Sequence, residues 1–174
     1  MERRSKLRLG YSWLFCLLCA GMAIALCLLL CLPSFDTNDD ENIIAIASGA
    51  FTGTPYAANG YTTYIYGALL QGLYLLSAAL PWHTLVMYFI IWVSLAAILK
   101  ALLMVCEQHH VSASVGLVLY FAICIGILVQ YVATLQYTTT AAFAAAGGTG
   151  LLIAANGAET RPSHKSGYWV GGGL

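Results

Sequence analysis

Five separate apolar runs, at residues 11–32, 62–80, 83–105, 111–135 and 141–155, occupy most of this chain and constrain its fold more than any motif does. A run of about 20 apolar residues matches the roughly 30 Å of hydrocarbon in a bilayer, so each run reads as a helix that crosses or enters a membrane. Composition agrees. The chain is 60% hydrophobic and 8% charged, where a soluble domain carries about 25% charged residues. The expectation is an all-α, polytopic transmembrane helix bundle of about five membrane segments, with the lipid bilayer as its first partner. The formal net charge of zero gives no reason to expect nucleic acid as another.

Residues 1–10 carry Arg3, Arg4, Lys6 and Arg8. The run behind them is longer than the 7 to 15 apolar residues of a signal peptide, and no small-residue cleavage site follows it. It therefore reads as an uncleaved first helix, and the positive-inside rule puts the basic end in the cytoplasm. The loop 34–60 then faces outward. Within it Asn38 and Glu41 have the spacing of a helix cap, and Ile43, Ile46, Ala47, Ala50 and Phe51 follow at helical intervals. Gly49, Gly53 and Pro55 close the segment. This predicts a short amphipathic helix lying in the membrane interface.

The runs 62–80 and 83–105 meet at Pro81 and Trp82, and the hydrophilic stretch from Glu107 to His110 separates the third run from the fourth. The fifth run is short and made mostly of alanine and glycine, so it needs helix partners to pack against. Residues 156–174 lose the apolar pattern and read as a disordered tail of a truncated gene product. Five crossings would place 34–60 and 107–112 outside, 136–140 inside and the tail outside. The tail carries Arg161 and Lys165, which the positive-inside rule disfavours there; a half-inserted fifth run, or a fourth that does not fully cross, would remove that strain.

Chemistry is concentrated in Asp36, Asp39, Asp40 and Glu41, four of the seven acidic residues, directly beyond the first run. Acids in the first turn of a helix stabilise it through the dipole, which is the plain explanation. The functional one gives a carboxylate of Asp39 or Asp40 the role of general base, or of ligand to a divalent metal ion. Neighbouring helix residues point about 100° apart, so one of the two faces a cleft; Asp40 is preferred and Asp39 is second. Lys100, His109 and His110 are the candidates for holding a phosphate, against plain readings as a snorkelling lysine and solvated loop histidines. No metal-ligand set with familiar spacing is present. The six cysteines read as small apolar packing residues, and Gly147, Gly148 and Gly150 as close helix packing rather than a phosphate loop. Gln71 and Gln130 read as interhelical hydrogen-bonding or cavity-lining groups.

The basic N-terminus, the single helix, the outward loop NDDENIIAIASGAFTGTP and the run YIYGALLQGLYLL resemble the N-terminal part of GT-C type membrane glycosyltransferases. The stretch LQYTTTAAFAAAGG is similar to a later segment of bacterial GT-C-like multispanning proteins. The resemblance covers about residues 1–155. It implies a bacterial inner-membrane enzyme, or the first part of one, that transfers a sugar from a polyprenyl-phosphate carrier to an acceptor at the outer face. Asp39 and Asp40 would then supply the base or metal ligand. Many members have a second acid after several helices; the corresponding neighbourhood here holds Thr138, Thr139 and Thr140. Two other readings stand beside it: a non-catalytic integral membrane scaffold or partner, and, third, a transporter, which the lack of a mid-membrane charge disfavours.

Overall fold

The computed structural model describes residues 12–35, 38–58 and 60–159. The basic N-terminal segment, Asp36 and residues 160–174 lie outside them. The described chain is an all-α bundle with one two-residue strand pair. Its elements are α1 (Trp13–Leu30), β1 (Ser34–Phe35), α2 (Asn38–Ala47), α3 (Tyr64–Leu76), α4 (Trp82–Gln108), α5 (Ala113–Ala133), β2 (Thr134–Leu135) and α6 (Tyr137–Glu159). Helix α5 contains one π-helical turn, Cys124–Leu128.

Four of these helices, α1, α4, α5 and α6, are long and apolar enough to cross a membrane, which makes the chain an integral membrane protein. The second apolar run differs from expectation. Its helix, α3, has 13 residues, about 20 Å at 1.5 Å per residue, too short for the hydrocarbon layer. The run is broken because Ser77 starts a turn: the Trp82 indole N–H donates to its carbonyl at 2.7 Å and its hydroxyl accepts from Ala79 N–H at 3.4 Å. The fifth run, by contrast, extends in both directions to a helix of 23 residues. Gln136 holds its first turn, accepting the Thr140 hydroxyl on its carbonyl and the Thr139 hydroxyl on its side-chain oxygen, both at 3.0 Å. Thr138, Thr139 and Thr140 are thus helical, and residues through Glu159 belong to α6 instead of a disordered tail.

The long helices pack with alternating sense around α4. Helix α1 runs antiparallel to it, tied where the Trp92 indole N–H donates to Leu17 O at 2.7 Å. Lys100 of α4 lies over the ring of Trp13, 5.2 Å from its centroid. Helix α6 runs parallel to α4, with Gly147 against Ser94 and Ala97, Gly150 against Ala101, and Gln108 donating to Ala154 O at 2.7 Å. A Cβ on Gly147 would sit 2.9 Å from Ser94 O, so glycine lets the two backbones approach. Between spanning helices lipid is as apolar as the contact itself, and such close packing supplies the attraction. Helix α5 returns between the parallel pair, and the Cys27 thiol donates to Cys124 O at the π turn, 3.6 Å away. The core joins Cys16, Ala20 and Ala23 of α1 to Leu95 and Leu99 of α4, Tyr120 of α5 and Phe143 of α6. All six cysteines are free thiols, five of them buried in this packing.

Strands β1 and β2 pair in parallel, Ser34 with Thr134 and Phe35 with Leu135. The acidic loop and the start of α6 therefore share one end of the bundle, here the loop end, and residues 109–112 lie at the other. Strict alternation over five crossings would have separated 34–60 from 136–140; with α3 not crossing, they meet.

Candidate functional site at the loop end

Helix α2 begins with Asp39, Asp40 and Glu41 in its first turn. Asp39 and Glu41 face outward. Asp40, Ile43 and Ala47 share the opposite face at helical spacing and are 1%, 0% and 0% exposed. That face packs on Leu70 and Tyr74 of α3 rather than on lipid alone. Phe51, expected on the same apolar face, lies beyond the helix and is exposed. Gly49 and Gly53 reverse the chain at φ 85° and 76°, and a Cβ on Gly49 would meet the Thr54 carbonyl carbon at 2.5 Å. The returning strand is then held by Gln71 of α3, whose Nε2 donates to Pro55 O at 2.8 Å. Gln71 thus ties loop to helix, where the sequence suggested an interhelical bond or a cavity-lining group.

The buried face of α2 brings Asp40 to the start of α4. Asp40 Oδ1 lies 2.9 Å from His83 Nε2, and His83 Nδ1 lies 3.0 Å from the Tyr66 hydroxyl. His83 is 0% exposed and is held between the Phe35 ring and the edge of Tyr66, at centroid distances of 6.2 and 5.8 Å. An imidazole that donates Nε2–H to the carboxylate accepts the Tyr66 O–H at Nδ1, so a neutral His83 satisfies both neighbours. Burial raises the Tyr66 phenol above its ordinary value and the charge of Asp40 adds to the rise, so the phenol stays protonated and is the donor of that bond. The three side chains form a chain of hydrogen bonds across α2, α3 and α4.

Tyr66 is the member that reaches open space. With Thr63, Met87, Ile90, Tyr137 and Thr140 it lines a mostly apolar cavity of about 270 Å³ between α3, α4 and α6. The hydroxyl-bearing residues lie toward the loop end, and Ala141 and Ala144 continue the wall along α6. Such a cavity suits an apolar body with a polar end presented to Tyr66.

The candidates drawn from the sequence separate. Asp40 is at the centre of the relay and Asp39 is outside it. Lys100 is 17 positions beyond His83 on α4, about 26 Å along the axis, and His109 and His110 lie past the far end of that helix. The structure therefore does not bring the three proposed phosphate-binding residues to Asp40. For a divalent ion the fit is poor: Asp39 and Asp40 diverge, Asp40 is turned to His83, and the described residues hold no group of three or more His, Cys, Asp or Glu able to ligate a metal. His83 and Tyr66 were not singled out by sequence. The available signals were a histidine at the polar edge of one apolar run and a tyrosine near the start of another.

Comparison with protein-family models, with curated proteins and with solved structures found no match for this chain.

Proposed function

We propose that the loop end is an acid–base site acting on a hydroxyl group of a membrane-borne substrate, in a protein that is, or is the first part of, a lipid-linked-sugar transferase of GT-C type. The observation that carries this reading is the buried Asp40–His83–Tyr66 chain ending at a mostly apolar cavity between α3, α4 and α6. Tyr66 is the group that touches substrate. A substrate hydroxyl placed against it passes its proton through the phenol to His83 as its oxygen bonds to the anomeric carbon of the sugar and the bond from that carbon to the carrier phosphate breaks, the polyprenyl phosphate leaving as its anion; Asp40 stabilises the resulting imidazolium. The base expected from sequence thus acts through histidine rather than directly. Lys100 is the one Lys or Arg among the described residues, and it lies away from the site. The phosphate of a charged donor then has to be held by groups outside this site.

The test is transfer of labelled hexose from a polyprenyl-phosphate hexose in proteoliposomes containing the full chain. Turnover is expected, with Tyr66→Phe and His83→Gln each lowering it at least tenfold, and with Glu107→Gln at the opposite end unchanged. Absence of turnover, or wild-type rates in Tyr66→Phe, overturns the reading. The rival reading, a non-catalytic integral membrane scaffold, draws on the burial of Asp40 and His83: the same three residues tie α2, α3 and α4 together. It predicts that the substitutions lower stability and leave no activity to lose.

A further inference from the structure

A second site stands on the other face of α6, and nothing in the relay contributes to it. Helix α6 presents Thr140 to the relay cavity and Thr139, the preceding residue, to a separate polar pocket of about 190 Å³ lined by Gln130, Tyr131, Thr134, Gln136 and Thr139. Two amides, two hydroxyls and a phenol converge there, with no charged side chain in the lining. At roughly 30 Å³ of liquid volume per water the pocket has room for about six waters, the size of one small hydroxylated ring. Amide and hydroxyl groups each both donate and accept, which matches a neutral ligand whose own hydroxyls do the same. A phosphate or carboxylate would find no cation there.

The pocket does not end in solvent. Tyr131 and Thr139 also line an apolar groove of about 320 Å³ that continues along Leu128, Phe143 and Ala146, between α5 and α6 and with Ile98 of α4 beneath it. These residues belong to helices of spanning length, so the groove opens toward hydrocarbon. The polar pocket sits at the loop end, where β2 joins the strand pair, at the level where headgroups begin. A polar compartment and an apolar one sharing two residues describe the two halves of an amphiphile.

We propose that this bipartite surface binds a membrane lipid with a neutral hydroxylated headgroup, such as a monohexosyl diacylglycerol. The head lies among Gln130, Thr134, Gln136 and Thr139, and one chain lies along Leu128 and Phe143. Tyr131, 54% exposed at the boundary, packs on the junction between head and chain, as aromatic residues do at membrane interfaces. The proposal does not depend on the relay or on sugar transfer.

The experiment is native mass spectrometry of the full chain in an amine-oxide detergent, since alkyl glycosides would compete for the pocket. The probes are monoglucosyl diacylglycerol, diacylglycerol, phosphatidylglycerol and methyl glucoside at equal concentration. Monoglucosyl diacylglycerol is expected to show at least fivefold higher occupancy than either of the other lipids. Methyl glucoside, which has the head without the chain, should bind at least tenfold more weakly. The Gln130→Leu/Thr139→Val double variant should lower glycolipid occupancy at least fivefold without changing diacylglycerol occupancy. If that variant melts at lower temperature, Tyr131→Ala, at a half-exposed position, gives the same comparison. Equal occupancy of the three lipids, or glycolipid occupancy unchanged in both variants, overturns the assignment. Binding of methyl glucoside as tight as that of the lipid overturns the groove's part in it.

Discussion

Asp40 and His83 are 1% and 0% exposed, and a buried polar pair is stable only while each member keeps its partner. Removing one side leaves the other desolvated and unpaired, at a cost of about 3 to 5 kcal/mol for an ionic partner and about 1 to 3 for a neutral one. Asp40→Leu is accordingly expected to destabilise the protein more than Tyr66→Phe in an unfolding titration with a denaturing detergent. The Asp40→Leu/His83→Leu double variant should lose less than the sum of the two single losses. Additive losses would mean that the two residues do not act as a unit. Of these three residues the sequence singles out Asp40 alone. The stagger of about 100° between neighbouring helix residues lets only one of Asp39 and Asp40 face a cleft; that Asp40 shares its buried face with Ile43 and Ala47 is seen in the structure. The sequence does not reach His83, 43 positions away, because that pairing depends on how α2 folds back over α4. No local pattern records that step.

At the level of elements, apolar content located the helices and misplaced the end of α3 and both ends of α6. Hydropathy does not distinguish a residue in a helix from an equally apolar one in a tight turn, so 62–80 read as one crossing although hydrogen bonds around Ser77 stop α3 at Leu76. The opposite error occurred at α6, where three threonines looked like a loop. A hydroxyl in the first turn of a helix bonds a backbone or capping group instead of opposing the helix, and Thr139 and Thr140 do so with Gln136. Of the three glycines read as packing residues, Gly147 and Gly150 pack on α4 and Gly148 does not. Gly147 meets α4 with no room for a side chain, and overpacking of this kind costs about 1 to 3 kcal/mol. Gly147→Leu should therefore lower the melting temperature in detergent. Gly148→Leu, where a Cβ would meet nothing within 4 Å, should leave it near the wild-type value; equal effects would contradict the parallel packing of α4 and α6.

For the whole molecule the decisive observation is that both strands lie at one end. Four crossings, with α3 returning to the side it entered from, put the start of α1 and the end of α6 on the same face. An even number of crossings leaves both ends of the described bundle on one side, the arrangement that the positive-inside rule favours where the sequence beyond each end is basic. The conflict created by five crossings disappears. In a variant free of native cysteines, single cysteines at Ser34 and Thr138 should react with a membrane-impermeant maleimide from the same side of intact cells or vesicles, and one at His109 only from the other. Labelling of positions 34 and 138 from opposite sides would refute this topology.

The two-residue pairing of Ser34 with Thr134 joins positions 100 apart in the chain, 134 minus 34. At roughly 5 to 20 residues per second of synthesis, about 5 to 20 s separate the appearance of the two strands. Throughout that interval α1 is made while the strand that anchors its outgoing end does not yet exist. The acidic loop is thus held by its own helix contacts until the turn from α5 into α6 arrives, and only then is the strand pair beside the relay complete.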